Sequence, residues 1–107
     1  MSLVSILLNK LLIFFSNKNT IRYTKIFSNL SKQDKKFVLA MAQSSEQRVS
    51  IKEIREQLNR PSNFVANYRR RLLDDQIIKS TNYGEVAFTL PFFKEYVLQQ
   101  HRFEQGL

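Results

Sequence analysis

The fold is decided by residues 50–75, which read SIKEIREQLNRPSNFVANYRRRLLDD. Ser50 is followed three residues later by Glu53, a capping-box pattern in which the serine side chain accepts a hydrogen bond from the third helical amide. A short helix is therefore predicted from there to about Asn59, with isoleucine and leucine at the three-and-four spacing of one buried face.

A second helix is predicted after a tight turn. Arg60 cannot continue the first helix, because a residue that precedes proline is pushed out of the helical region. Ser62 is predicted to cap the second helix, which runs to about Asp75 and carries the run YRRR at residues 68–71. Two helices with so short a connection, the second one rich in arginine, are typical of a helix-turn-helix motif.

A β-hairpin is predicted after the motif. Residues 77–80 (IIKS) are strand-like, residues 82–84 (NYG) have turn chemistry, and residues 85–90 (EVAFTL) alternate between apolar and polar positions. Pro91 is predicted to open a last helix, since proline is tolerated in a first turn. The aromatic residues near this junction are expected in the core rather than on a platform for stacking bases: Phe88, Phe92, Phe93 and Tyr96.

Another helix is predicted before the motif, at about residues 32–44, where Ser31 and Asp34 repeat the capping-box pattern. Residues 48–49 between the two are a short extended stretch. Together these elements predict an α+β, mainly helical fold. It is a winged helix-turn-helix with a three-helix core and a β-hairpin wing, an N-terminal helical extension and a C-terminal helix.

The length of 107 residues suits one compact domain with an appendage. We expect a helical arm at residues 1–29, the winged-helix domain at 30–100 and a tail at 101–107. The formal net charge of +8 favours polyanionic partners such as nucleic acid. Because the chain has no cysteine and a lone histidine, His101, we expect neither a disulfide framework nor a metal site.

The N-terminal segment Leu3–Phe15 is apolar but interrupted by Asn9 and Lys10, which makes it too short for the roughly 20 residues of a membrane-spanning helix. Its apolar residues cover more than one helical face, so it must bury itself against something. Three alternatives stay open: packing on the same domain, a homodimer contact, or the end of a larger protein. Since Lys10 inside the stretch argues against a secretory signal, we expect a cytoplasmic protein. Because the arm is basic as well as apolar, attachment to a membrane surface stays open as a less favoured alternative.

The second helix of the motif is the candidate DNA-binding element. Val65, Tyr68 and Leu72 recur at the spacing of one face and are expected to point to the core. The opposite face then presents asparagine and arginine, the side chains whose paired hydrogen-bonding groups match adenine and guanine edges in the major groove. The predicted base-facing residues are Asn63, Asn67 and Arg70.

A second set of polar and basic residues is predicted to contact the DNA backbone, the contacts that dominate affinity. Its members are Lys52, Arg55, Arg60, Ser62, Arg69, Arg71, Lys79 and Tyr83. The alternative for Arg69 and Arg71 is an ion pair with Asp74 or Asp75, and Arg55 could pair with acidic neighbours on its own helix. Asp74 lies on the base-facing side and would repel phosphate, which argues against binding along the whole helix.

Three stretches resemble a known family: LSKQDKKF at residues 30–37, YRRRLL at 68–73 and VAFTLP at 86–91. Between residues 30 and 96 the chain resembles the C-terminal winged-helix domain of AAA-type ATPases of bacteria and their mobile elements. The resemblance implies a DNA-facing or regulatory module that follows an ATPase core.

The chain departs from that pattern in two ways. Gln76 stands where winged helices usually have a glycine, because the chain needs a positive φ angle there. In addition, the only glycines are Gly84 and Gly106, so a phosphate-binding loop of the GxxxxGK[ST] type is absent. If the chain derives from an ATPase, it is expected to be a fragment or an orphaned module.

The sequence therefore favours binding of double-stranded DNA, through a recognition helix at about 62–75 and a wing at about 77–90. It suggests no cofactor and no enzymatic activity, since no nucleophile is paired with a base. The alternative is a winged helix that binds another protein, with Leu3–Phe15 docking onto a partner or an ATPase core.

Overall fold

Helices make up most of residues 18–106, the part of the chain that our computed structural model describes. The predicted arm Leu3–Phe15 lies outside this range. Within it, five helices and three strands follow one another as α1 (Lys18–Asn29), α2 (Lys32–Gln43), β1 (Val49–Ser50), α3 (Ile51–Leu58), α4 (Ser62–Asp74), β2 (Ile78–Ser80), β3 (Glu85–Phe88) and α5 (Phe93–Glu104). The fold is thus α+β and mainly helical, as predicted, and its order of elements is compatible with a winged helix.

Serine side chains begin two of the predicted helices. The Ser31 hydroxyl accepts a hydrogen bond from the Asp34 amide at the start of α2 (3.1 Å), and Ser50 does the same for Glu53 at the start of α3 (3.0 Å). Each bond satisfies an amide that has no partner inside the helix. The prediction of both helix starts is confirmed.

The start of α4 differs from the prediction. Ser62 is the first helical residue, and the preceding Pro61 holds the capping position without a side-chain hydrogen bond. Proline suits this place because the capping residue is extended, and the φ of −58° and ψ of 149° at Pro61 fit the fixed φ of proline. Its carbonyl accepts hydrogen bonds from the amides of Phe64 and Val65, the second of which is the first regular bond of the helix.

The three strands form one antiparallel sheet with β3 in the centre. Ile78 of β2 lies opposite Phe88 of β3, as expected for the predicted hairpin. Val49 of β1 pairs with Val86 on the other side of β3. The stretch that the sequence showed only as extended is therefore a third strand, which ties the beginning of the helix-turn-helix segment to the hairpin.

The last helix, α5, begins after the predicted start at Pro91 and extends into the predicted tail at residues 101–107. Pro91 lies in a turn before α5, and Phe92 caps the helix with a φ angle of 62°, so the prediction that Pro91 opens the helix is wrong. Phe92 also remains 59% exposed, whereas Phe93 and Tyr96 are buried as expected. The helix continues to Glu104, through residues that the sequence assigned to a tail.

Helix α1 packs into the same hydrophobic core as the rest. The Tyr23 side chain is 1% exposed, and its ring meets the rings of Phe93 (5.2 Å between centroids) and Tyr96 (6.0 Å) edge to face. Its hydroxyl donates a hydrogen bond to the Pro91 carbonyl (2.7 Å), and burial raises the pKa of Tyr23, which keeps it protonated. Residues that the sequence placed in the arm at 1–29 thus contribute to the core of the domain.

Within residues 18–106, the helices are all too short or too polar to cross a membrane.

Substitutions in α1 test this contribution. We expect Tyr23→Ala to lower the free energy of unfolding by about 3–5 kcal/mol, because a buried ring is lost, and Tyr23→Phe to lower it by about 1 kcal/mol through the lost hydrogen bond. Urea denaturation measures both. The matched control is Ile21→Ala on the same helix, where the side chain is 65% exposed and the change should stay within about 0.5 kcal/mol. Equal effects at the two positions would contradict the packing of α1.

Candidate nucleic-acid interface

Helix α4 has the two faces that its sequence predicts. Val65, Tyr68 and Leu72 are buried, with at most 6% of each side chain exposed. On the opposite side, the three predicted base-facing residues are all exposed, and they stand four and three positions apart on one solvent-facing stripe: Asn63, Asn67 and Arg70. The small Ala66 beside them is also exposed, so a large ligand could approach the helix closely.

Arg69 lies on the flank of α4 that faces the hairpin. Its guanidinium donates a hydrogen bond to the Ser80 hydroxyl of β2 (3.2 Å). This contact joins the helix to the hairpin and gives Arg69 a positioning role in the fold.

Arg71 lies on the other flank, where it is bound to α2. Its guanidinium makes two hydrogen bonds to the two carboxylate oxygens of Asp34 (2.8 and 3.1 Å), and it also lies over the Tyr68 ring. The hydrogen bond to Asp34 raises the pKa of Arg71. The sequence offered Asp74 or Asp75 as an alternative partner, but the partner of Arg71 is 37 residues away in sequence, on another helix.

Not every hairpin residue that was predicted to contact DNA lies on the face of the sheet that is next to α4. Successive strand residues point to opposite faces of a sheet. Ser80 faces Arg69 and pairs with the fully buried Val86, whereas Lys79 pairs with Ala87 and lies on the opposite face. The structure therefore does not bring Lys79 together with α4. Tyr83, at the tip of the hairpin, is fully exposed.

The remaining predicted residues lie on α3, in the turn that follows it and in the first turn of α4. Lys52 and Arg55 are exposed on α3, and Ser62 is exposed in the first turn of α4. Arg60, in the connecting turn, lies over the ring of Phe64 at 5.7 Å. Sequence reasoning missed Phe64, which is 44% exposed; the available signal was an apolar residue outside the buried stripe of its helix.

The described residues contain no cluster of three histidine, aspartate or glutamate side chains that could hold a metal ion. They also include the exposed polar face of α4. The molecule is thus an α+β, mainly helical domain that presents one exposed asparagine and arginine stripe.

By its sequence, the chain belongs to a family described as a domain of unknown function (DUF8462), which matches residues 7–97. The match spans all three strands and crosses the predicted boundary at residue 30. No curated protein matches the chain significantly. The resemblance to the winged-helix domain of AAA-type ATPases stays a prediction.

The ion pair of Arg71 generates a prediction about stability. The Asp34 side chain is only 7% exposed, so Arg71→Ala leaves a buried carboxylate without its partner. We expect a loss of about 1–3 kcal/mol in the free energy of unfolding, below the effect at a fully buried pair because Arg71 itself is half exposed. Urea is the suitable denaturant, since guanidinium salts screen the ion pair.

A double-mutant cycle separates this pair from other effects of the substitutions. Arg71→Ala combined with Asp34→Ala should cost less than the sum of the two single variants, because each single change already removes the interaction. Strictly additive losses would contradict an energetic coupling between α2 and α4.

Gln76 generates a second prediction. Its φ angle of 60° confirms that the chain needs a positive φ where α4 turns into β2. A residue with a Cβ is strained in this region, so we expect Gln76→Gly to raise the free energy of unfolding by about 0.5–1 kcal/mol. Gln76→Ala, which keeps the Cβ, should leave stability nearly unchanged. A loss of stability in the glycine variant would show that the Gln76 side chain itself stabilises the turn.

Proposed function

We propose that α2, α3 and α4 together with the β2–β3 hairpin form a winged helix that binds double-stranded DNA, with α4 in the major groove and the hairpin as the wing. The observation that carries this proposal is the exposed stripe of Asn63, Asn67 and Arg70 on a helix whose opposite side is anchored in the core. These side chains offer the paired donors and acceptors that distinguish base edges.

The dimensions of the stripe support this function. At a rise of about 1.5 Å per residue, positions 63 to 70 span about 10 Å along the helix, which is comparable with three stacked base pairs at about 3.4 Å each. Because Asp74 is exposed on the same side, binding is confined to the first two turns of α4.

Residues outside the stripe are proposed to contact the sugar-phosphate backbone of the DNA. The residues proposed for these contacts, Lys52 and Arg55 on α3 and Tyr83 at the wing tip, are all exposed. The net charge of +8 favours association with a polyanion. We leave Arg71 and Lys79 out of this interface, since the first is bound to Asp34 and the second lies on the far face of the sheet. The resemblance to AAA-type ATPases supports a role as an accessory or regulatory module of an ATPase-related protein.

The decisive experiment selects preferred duplexes from a random pool and then measures fluorescence anisotropy over a salt series. We expect the wild-type affinity to fall steeply with salt. Arg70→Ala should weaken binding to the selected duplex by about 1–3 kcal/mol and reduce discrimination against a scrambled duplex, since a base contact is lost. Lys52→Ala should weaken both duplexes equally and reduce the salt slope by about one.

Arg102→Ala is the matched control, because Arg102 is an exposed arginine on α5, away from the interface. An equal loss in this variant, or absence of binding at low salt, would overturn the proposal. Salt-independent binding of a protein partner would instead favour the alternative in which the segment Leu3–Phe15 docks onto that partner.

A further inference from the structure

A cleft of about 330 Å³ lies between α2 and α5, with the end of α1 at its base. Its apolar floor consists of Phe27, Leu39 and Val97. Phe27 and Leu39 are only partly buried, although both pack on the core. Val97 is buried, so the apolar surface that the described part of the fold leaves accessible here belongs to Phe27 and Leu39.

Lysines form one rim of the cleft. Lys32, Lys35 and Lys36 all project from α2 around Leu39, and the Lys35 ammonium group lies 5.2 Å from the centre of the Phe27 ring. The acidic residue of α2, Asp34, points to the other side of the helix and binds Arg71. No carboxylate of α2 therefore offsets the three positive charges at this rim.

The opposite rim is formed by α5 and carries His101 and Glu104. The lining thus combines three lysines with a single carboxylate around an apolar floor. The phosphates of duplex DNA would match the positive charge of the lysines, but DNA offers no flexible apolar groups that could fill the floor of the cleft. An amphipathic helix matches both properties, since it can place leucines in the cleft and carboxylates against the lysines.

We propose that this cleft binds an acidic amphipathic helix of another protein, with leucine side chains on the floor and glutamates paired with Lys32, Lys35 and Lys36. Around α2, Lys32 and Lys36 lie about 160° from Asp34 and Lys35 about 100° from it, so the three lysines project away from the side that binds Arg71 of α4. The site is independent of the DNA interface proposed above and does not require it.

The test is a titration of the full ¹⁵N-labelled chain with a synthetic helical peptide in which leucines recur four residues apart and glutamates flank them. We expect saturable amide shifts confined to the residues around Phe27, to Lys32–Gln43 and to residues 97–105. A peptide with alanine in place of leucine, and one with glutamine in place of glutamate, should each bind much more weakly, because the first loses apolar contact and the second loses charge pairing.

A charge-reversal variant tests whether the peptide binds in the cleft. Lys32→Glu combined with Lys36→Glu should raise the Kd about tenfold, equivalent to about 1.4 kcal/mol. Both lysines are exposed, and a glutamate at position 32 is favourable in the first turn of a helix, so this variant should fold. Lys25→Glu is the matched control with an exposed lysine outside the cleft, and it should change the Kd less than about twofold.

Several outcomes would overturn the proposal. They are an equal loss of affinity in Lys25→Glu, undiminished binding of the alanine peptide, and shifts centred on α4. Concentration-dependent shifts at the cleft without peptide would assign the cleft to a second copy of this chain. Shifts at the cleft with duplex DNA or anionic vesicles but none with peptide would assign it to those polyanions instead.

Discussion

The ring of Phe93 is fully buried at the point where α1, α5 and the sheet meet. The packing of these elements depends on the contacts of this ring. It packs edge to face on Tyr23 of α1 and Phe88 of β3, and stacks with Tyr96 on its own helix. Aromatic rings bury large apolar areas and also constrain the angle between their elements. Both ends of the described chain are thereby fixed to the central strand, and the helix-turn-helix segment is built onto that support.

The three consecutive arginines of α4 have different roles because successive helical residues are rotated by about 100°. Arg69 reaches the hairpin, Arg70 points to solvent and Arg71 reaches α2. The two outer arginines brace the helix from both flanks, and the middle one is left accessible. A basic run that resembles a uniform patch is thus divided into two arginines that make contacts within the fold and one that is exposed.

Much of the fold was predictable because its signals are local. Serine caps define two helix starts, and the spacing of Val65, Tyr68 and Leu72 defines the buried face of α4 and hence its polar stripe. The pairing of β1 with β3 and the Asp34–Arg71 ion pair were not predictable, since both join residues 37 positions apart that carry no local signature. The side of the sheet on which Lys79 lies depends on strand register, which a three-residue strand specifies weakly.

The sheet has a consequence for self-association. Its two edge strands are β1, with two residues, and β2, with three, and the exposed Lys79 projects from the latter. Long, flat edges with unpaired amides and carbonyls are templates that recruit strands from other chains, whereas short edges that carry lysine resist it. Within the described residues, the sheet therefore offers poor edges for pairing with a strand of another chain.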